Sequence, residues 1–183
     1  MHSKIKLLAL ICFCGLAFSA CKSRKKVADR YKYLIKNSDT RAATSDSDSP
    51  TAIAGKATIR VIQEAESYLG TPYRYGGINK NGIDCSGLTQ KSYSINGVTL
   101  PRSAAEQSRF GDRVGRDQLR PGDLVFFSAK NDGNIDHVGL VTEVQGEDVT
   151  FIHASSSRGV RHDKLNEGYW RNLYKLARRI GVN

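Results

Sequence analysis

The sequence predicts an α+β domain, helical in its first half and built of antiparallel strands in its second. Three observations support this. Apolar residues recur at helical spacing between Ile59 and Leu69. Short apolar runs rich in Val, Phe and Ile follow from Leu124 onward. Clusters of Gly, Pro, Asn and Asp separate them.

Ahead of that domain, residues 1–20 read as an export signal. Lys4 and Lys6 precede an apolar run from Leu7 to Ala20, and the small pair Ser19-Ala20 stands directly before Cys21. The run is too short for a comfortable permanent membrane span. A Cys at that place resembles a bacterial lipoprotein signal, in which the Cys becomes the lipidated first residue of the mature chain. Cys12 and Cys14 would leave with the signal and Cys21 would be acylated. Cys85 then remains as the one thiol of the exported protein, so no intramolecular disulfide is available.

The formal charge is +10, and its distribution matters more than its size. Residues 21–50 hold eight Lys/Arg against four Asp, with a cluster from Lys22 to Lys26. No basic stripe interleaved with aromatic residues accompanies it, which argues against nucleic acid as a partner. A solvated tether beside an anionic membrane or wall polymer explains the cluster more simply. Residues 38–55 are small and polar without apolar period, so residues 21–55 are assigned as linker and 56–183 as the folded domain.

Within the domain, a helix from about Lys56 to Leu69 ends at Gly70, a C-cap signal. Thr71 to Gly82 is loop. Cys85 to Asn96 reads as helix, and Ser103 to Phe110 as a second, with Ser103 as N-cap and Glu106 completing a capping box. Strands are expected at Leu124–Ser128, Asp136–Val144, Val149–Ala154 and Leu173–Ile180. The second and third form a hairpin around residues 145–148.

Cys85 opens a helix after a polar loop, in Asp84-Cys85-Ser86-Gly87. There the helix dipole favours thiolate, and free backbone N–H groups can meet an oxyanion. The plain alternative is a buried, inert Cys. A nucleophilic thiol needs a base, and the base needs a third group to orient it. His137 and His153 stand on the two arms of the hairpin. An odd turn or a bulge would set His153 opposite Gly139 and diagonal to His137 on one face, whereas an even turn without a bulge would set them on opposite faces. His162, beside Arg161 and Asp163, reads as a surface residue. No ligand pair of usual metal-binding spacing is present, so neither metal nor cofactor is expected.

Asp84-Cys85-Ser86-Gly87, His137-Val138-Gly139 and His153-Ala154-Ser155, in that order, resemble the NlpC/P60 family of cysteine peptidases. Pro72-Tyr73-Arg74-Tyr75-Gly76-Gly77, Leu100-Pro101-Arg102-Ser103 and Arg120-Pro121-Gly122-Asp123-Leu124 match further segments, so the likeness spans about residues 56–180. The resemblance implies a papain-like α+β fold, with helices packed on an antiparallel sheet. The 52 residues from Cys85 to His137 are far fewer than in papain itself. The resemblance further implies a peptidoglycan hydrolase that cleaves a stem-peptide bond between D-γ-glutamyl and a diamino acid. Cys85 would be nucleophile, His137 base and His153 its orienter, with Tyr73 aiming its hydroxyl at the oxyanion. Asp84, Ser86 and Arg102 would contact substrate, although Asp84 would also serve as a simple helix cap and Arg102 as a solvated charge. The alternatives are an inactive wall-binding module, or an amidase or acyltransferase using the same Cys and His. The expected protein is a monomer. It is held by lipid on Cys21 in the cell envelope, at the outer membrane facing the periplasm, with peptidoglycan stem peptides as its partners.

Overall fold

A computed structural model describes residues 50–128 and 132–182, with side chains from residue 55 onward. The expected signal, Cys21 and most of the linker lie outside the described residues. The first helix, α1 (Pro50–Glu66), starts ahead of the boundary expected at Lys56. Proline is favoured in the first turn of a helix, where its missing N–H costs nothing, and the alanines that follow are strong helix formers. Among the described residues no helix is long and apolar enough to cross a membrane.

The stretch read as loop carries a two-rung ladder, β1 (Ile78–Asn79) against β2 (Gly82–Ile83). Helix α2 (Cys85–Ser94) follows at once, capped by Asp84. Helix α3 (Ala104–Gln107) is a single turn, and both arms of the Ser103/Glu106 capping box are formed. Six strands then make one antiparallel sheet in the order β3-β8-β4-β5-β6-β7. They are β3 (Asp112–Val114), β4 (Leu124–Phe127), β5 (His137–Gln145), β6 (Asp148–Ser155), β7 (Gly159–Lys164) and β8 (Tyr174–Arg179). A short helix, α4 (Gly168–Leu173), precedes β8.

β3, β7 and α4 were not expected from the sequence. β7 reads Gly-Val-Arg-His-Asp-Lys, too polar to show a strand pattern, and charged residues are what an edge strand carries. Every residue of the central strand β4 is buried. On one face Val125, Phe127, Val141, Phe151 and Ala177 form a continuous apolar cluster, against which Trp170 and Tyr174 pack. Helix α2 packs against α1 and the β5–β6 hairpin. This brings the start of α2 and the start of β5 together.

The β5–β6 hairpin has the short Gly146-Glu147 turn, with Gln145 paired to Asp148 and Gly146 at φ +59°. An even turn would place His137 and His153 on opposite faces. The ladder, however, passes from Glu143↔Thr150 to Val141↔Phe151, leaving Thr142 as a bulge. Continued past Leu140↔Ile152, the shifted register sets His153 across from Gly139, on the same face as His137.

Candidate active site

Asp84 organises the start of α2. Its Oδ1 accepts from the Gly87 N–H at 2.7 Å, and its Oδ2 from the Gly76 N–H at 2.8 Å, tying the preceding loop to the helix. Arg102 grips both oxygens at 2.9 and 2.6 Å. Ser86 Oγ donates to Asp84 Oδ1 at 3.2 Å and accepts from Arg102 at 2.9 Å. The three residues expected to contact substrate therefore form one network. Burial disfavours the charge of Asp84, but Arg102 and the two backbone N–H groups outweigh it and hold its pKa below the usual value. Helix and loop touch so closely that a Cβ on Gly87 would lie 2.4 Å from the Gly77 carbonyl oxygen.

Cys85 is the first residue of α2 and is 6% exposed. The sequence places it where a helix dipole favours thiolate, yet burial pushes the thiol up to about 11. A hydrogen bond from the Val138 backbone to the sulfur and the backbone groups of Ser86 and Cys85 act the other way, and the charge of Asp84 adds to the rise. Desolvation therefore outweighs the helix terminus, and the resting group is a neutral thiol. The Val138 hydrogen bond also ties the sulfur to the residue that follows His137 in β5.

His137 opens β5 and is half-buried. Its ring stacks on Trp170, with centroids 5.4 Å apart and planes at 21°, and Phe127 lies 6.1 Å away. Its Nε2 is 2.9 Å from Nδ1 of His153. Burial, and then the neighbouring His153, lower its pKa to about 3, so the imidazole is neutral at ordinary pH. His153, 1% exposed, also has a lowered pKa, mainly through burial.

The far nitrogen of His153 meets a residue that the sequence reading missed. Nε2 lies 3.0 Å from Oδ2 of Asp163 on β7. Asp163 also accepts from Trp170 Nε1 at 3.1 Å and pairs with Arg161 at 2.5 Å. The signal that could have found it is strand parity. Once 159–164 is a strand with His153 opposite Arg161, Asp163 falls on the face of His153. His162 is one-third exposed and sits 3.6 Å from Glu66, away from this chain of contacts.

Tyr73 is half-buried in the loop before α2, bridged in parallel to Ile83. Its phenol pKa is raised by burial and then by the charges of Cys85 and Asp84. With His137, His153, Asp163, Trp170 and Tyr169 it lines a cleft of about 560 Å³. Among the described residues no group of three or more His, Cys, Asp or Glu is arranged to hold a metal ion.

A neutral thiol at the head of α2, a neutral imidazole lining the cleft and a second imidazole behind it can perform acyl transfer through a thioester. A family model described as NlpC/P60 matches residues 70–179. The chain is 41% identical over 136 residues to the "Probable endopeptidase NlpC" of Escherichia coli K12, covering 73% of this chain and 82% of that protein. It is 36% identical over 163 residues to the "Murein DD-endopeptidase MepS/Murein LD-carboxypeptidase" of the same strain, covering 88% and 74%. Among solved structures, an NlpC/P60 family protein from Bacillus cereus ATCC 10987 superposes with a TM-score of 0.60 at 34% identity, over 67% of this chain and 39% of that one. The NlpC/P60 domain of the peptidoglycan hydrolase SagA does so with a TM-score of 0.57 at 26% identity, over 67% and 98%. The α+β class expected from the sequence is the class of these neighbours.

Proposed function

The chain belongs to the NlpC/P60 family, and from that premise we propose that it is a peptidoglycan hydrolase, a thiol-dependent endopeptidase that cuts a stem-peptide bond. The observation that carries the reading is the His137–His153 contact. It occupies Nε2 of His137 and leaves Nδ1 as the ring's available base, while the backbone of the next residue, Val138, hydrogen-bonds the Cys85 sulfur.

Nδ1 of His137 takes the proton from Cys85 Sγ as the sulfur attacks the peptide carbonyl carbon. The backbone N–H of Cys85 and the hydroxyl of Tyr73 stabilise the oxyanion. His137 returns its proton to the departing amine, leaving a thioester on Cys85. Water, deprotonated by His137, then releases the acid and restores the thiol. Because thiol and imidazole both rest neutral, proton transfer accompanies attack and is not completed beforehand.

Asp84, Ser86 and Arg102 form the substrate-binding side. Arg102, whose side chain is 40% exposed, is the solvent-facing end of that network. The bond cut is the one between D-γ-glutamyl and the diamino acid. Cys21 carries lipid and anchors the chain, as a monomer, to the outer membrane facing the periplasm. Mass spectrometry of purified peptidoglycan after digestion tests the reading. New free amines on the diamino acid support it, and intact stem peptides overturn it.

A further inference from the structure

The hydrogen-bond chemistry of Asp163 dictates which nitrogen of His137 is free. Asp163 faces three groups from three elements: His153 on β6, Trp170 on α4, and Arg161 on its own strand. Burial disfavours its charge, but His153, Trp170 and Arg161 more than compensate and keep its pKa below the usual carboxylate value. An ionised carboxylate only accepts hydrogen bonds. The hydrogen in the 3.0 Å contact must therefore sit on His153 Nε2. A neutral imidazole carries one N–H, so Nδ1 of His153 is bare and accepts. The 2.9 Å contact between the rings is then filled by a hydrogen on His137 Nε2. That leaves Nδ1 of His137 bare.

We propose that Asp163 is a positioning residue that sets the tautomers of both His153 and His137 through this chain of contacts, so that Nδ1 of His137 is the atom able to take the Cys85 proton. Trp170 serves the same end. Its Nε1–H holds Asp163 Oδ2 while its ring stacks on His137, so the carboxylate and the base are aligned by one side chain. As Sγ–H breaks and Nδ1–H forms, His137 gains a positive charge. The negative charge of Asp163, two rings away, favours that state, and Arg161 partly offsets it.

The kinetic consequence rests on the reading of Cys85 and His137 as nucleophile and base, whereas the tautomers do not depend on it. Asp163→Asn puts an amide NH₂ where an acceptor is required. Facing Arg161 it opposes a donor. Facing His153 it opposes the Trp170 Nε1–H as well and forces His153 Nε2 to accept, which reverses both rings and places a hydrogen on Nδ1 of His137. Substituting the orienting carboxylate of a serine protease by Asn has this effect on its tautomer and costs about 10⁴ in rate; relayed through a second ring, about 10- to 1,000-fold in kcat is expected, with KM nearly unchanged.

The test is nitrogen-15 NMR of the histidine rings in the full chain at neutral pH, together with kcat and KM on peptidoglycan fragments. Wild-type protein is expected to show His137 protonated on Nε2 only, and Asp163→Asn to shift population toward Nδ1–H with the loss in kcat. Wild-type His137 protonated on Nδ1 overturns the proposal, even if Asp163→Asn does not fold. So does Asp163→Asn with native tautomers and native kcat. The stated tautomers in a wild-type protein that hydrolyses nothing would leave Asp163 in its positioning place and remove the peptidase reading.

Discussion

His137 Nε2 and His153 Nδ1 lie 2.9 Å apart because Thr142 bulges out of the strand between them and the hairpin turn. Removing one residue from the pairing changes the parity of everything beyond it, so this bulge decides whether β5 and β6 present a base and its orienter on one face. Gly139 contributes at the same spot. A Cβ there would lie 2.4 Å from Cδ2 of Phe151, whose ring packs against His153 and Phe127.

Cys85→Ala is expected to abolish hydrolysis while keeping the fold, since a small buried residue replaces a small one. His137→Ala should come close to the same loss, because the two groups act in one step and their effects do not add. Rates for both variants, with circular dichroism to confirm folding, check this. Native-rate digestion by Cys85→Ala would remove the thiol mechanism.

His153→Gln or His153→Asn should retain substantial activity, and His153→Ala much less. A side-chain carbonyl can accept from His137 Nε2 as Nδ1 does now, and a methyl group cannot. The contrast should appear in kcat, since orientation matters most in the transition state. His153→Ala also leaves the His137 Nε2–H without its acceptor, at about 1–3 kcal/mol, so its melting temperature should fall as well. Equal kcat for the Asn and Ala variants in the folded fraction would end the orienter role.

Stability should fall on the acid side ahead of the loss that Asp84 and Asp163 bring. His137 has an ordinary pKa of 6.5 when unfolded and about 3 when folded, and that of His153 is also lowered. Below pH 6.5 the unfolded chain takes up protons that the folded chain refuses. The stability is therefore fully present above that pH and is lost as pH falls toward the folded values. Asp84 and Asp163, lowered from 3.8, add their own loss only further down. Chemical unfolding between about pH 4.5 and 6.5 should show a slope of up to about 1.4 kcal/mol per pH unit for each histidine. His137→Gln should flatten it, and an unchanged slope would contradict a neutral buried His137.

Cys21→Ser should move the protein from membranes to a soluble fraction, and the wild-type amino terminus should carry an acyl mass on Cys21. The motive is Ser19-Ala20-Cys21 behind an apolar run. A mature terminus elsewhere, without lipid, would rule this out.

Local signals in the sequence determined a good deal. Asp84 as cap, Cys85 at the head of a helix, the Ser103/Glu106 capping box and the hairpin bearing His137 and His153 are all written within a few residues of themselves, because caps, turns and alternation are short-range chemistry. What only the tertiary structure decided has one physical root, which is that burial and register are set by contacts distant in the chain. The Gly146-Glu147 turn alone implied the wrong parity, and the bulge at Thr142 corrected it. The helix terminus argued for a thiolate, and packing around Cys85 desolvated it into a thiol. Asp163 stood in a stretch with no apolar pattern, and it became part of the site only when β7 paired with β6 and brought its carboxylate to His153.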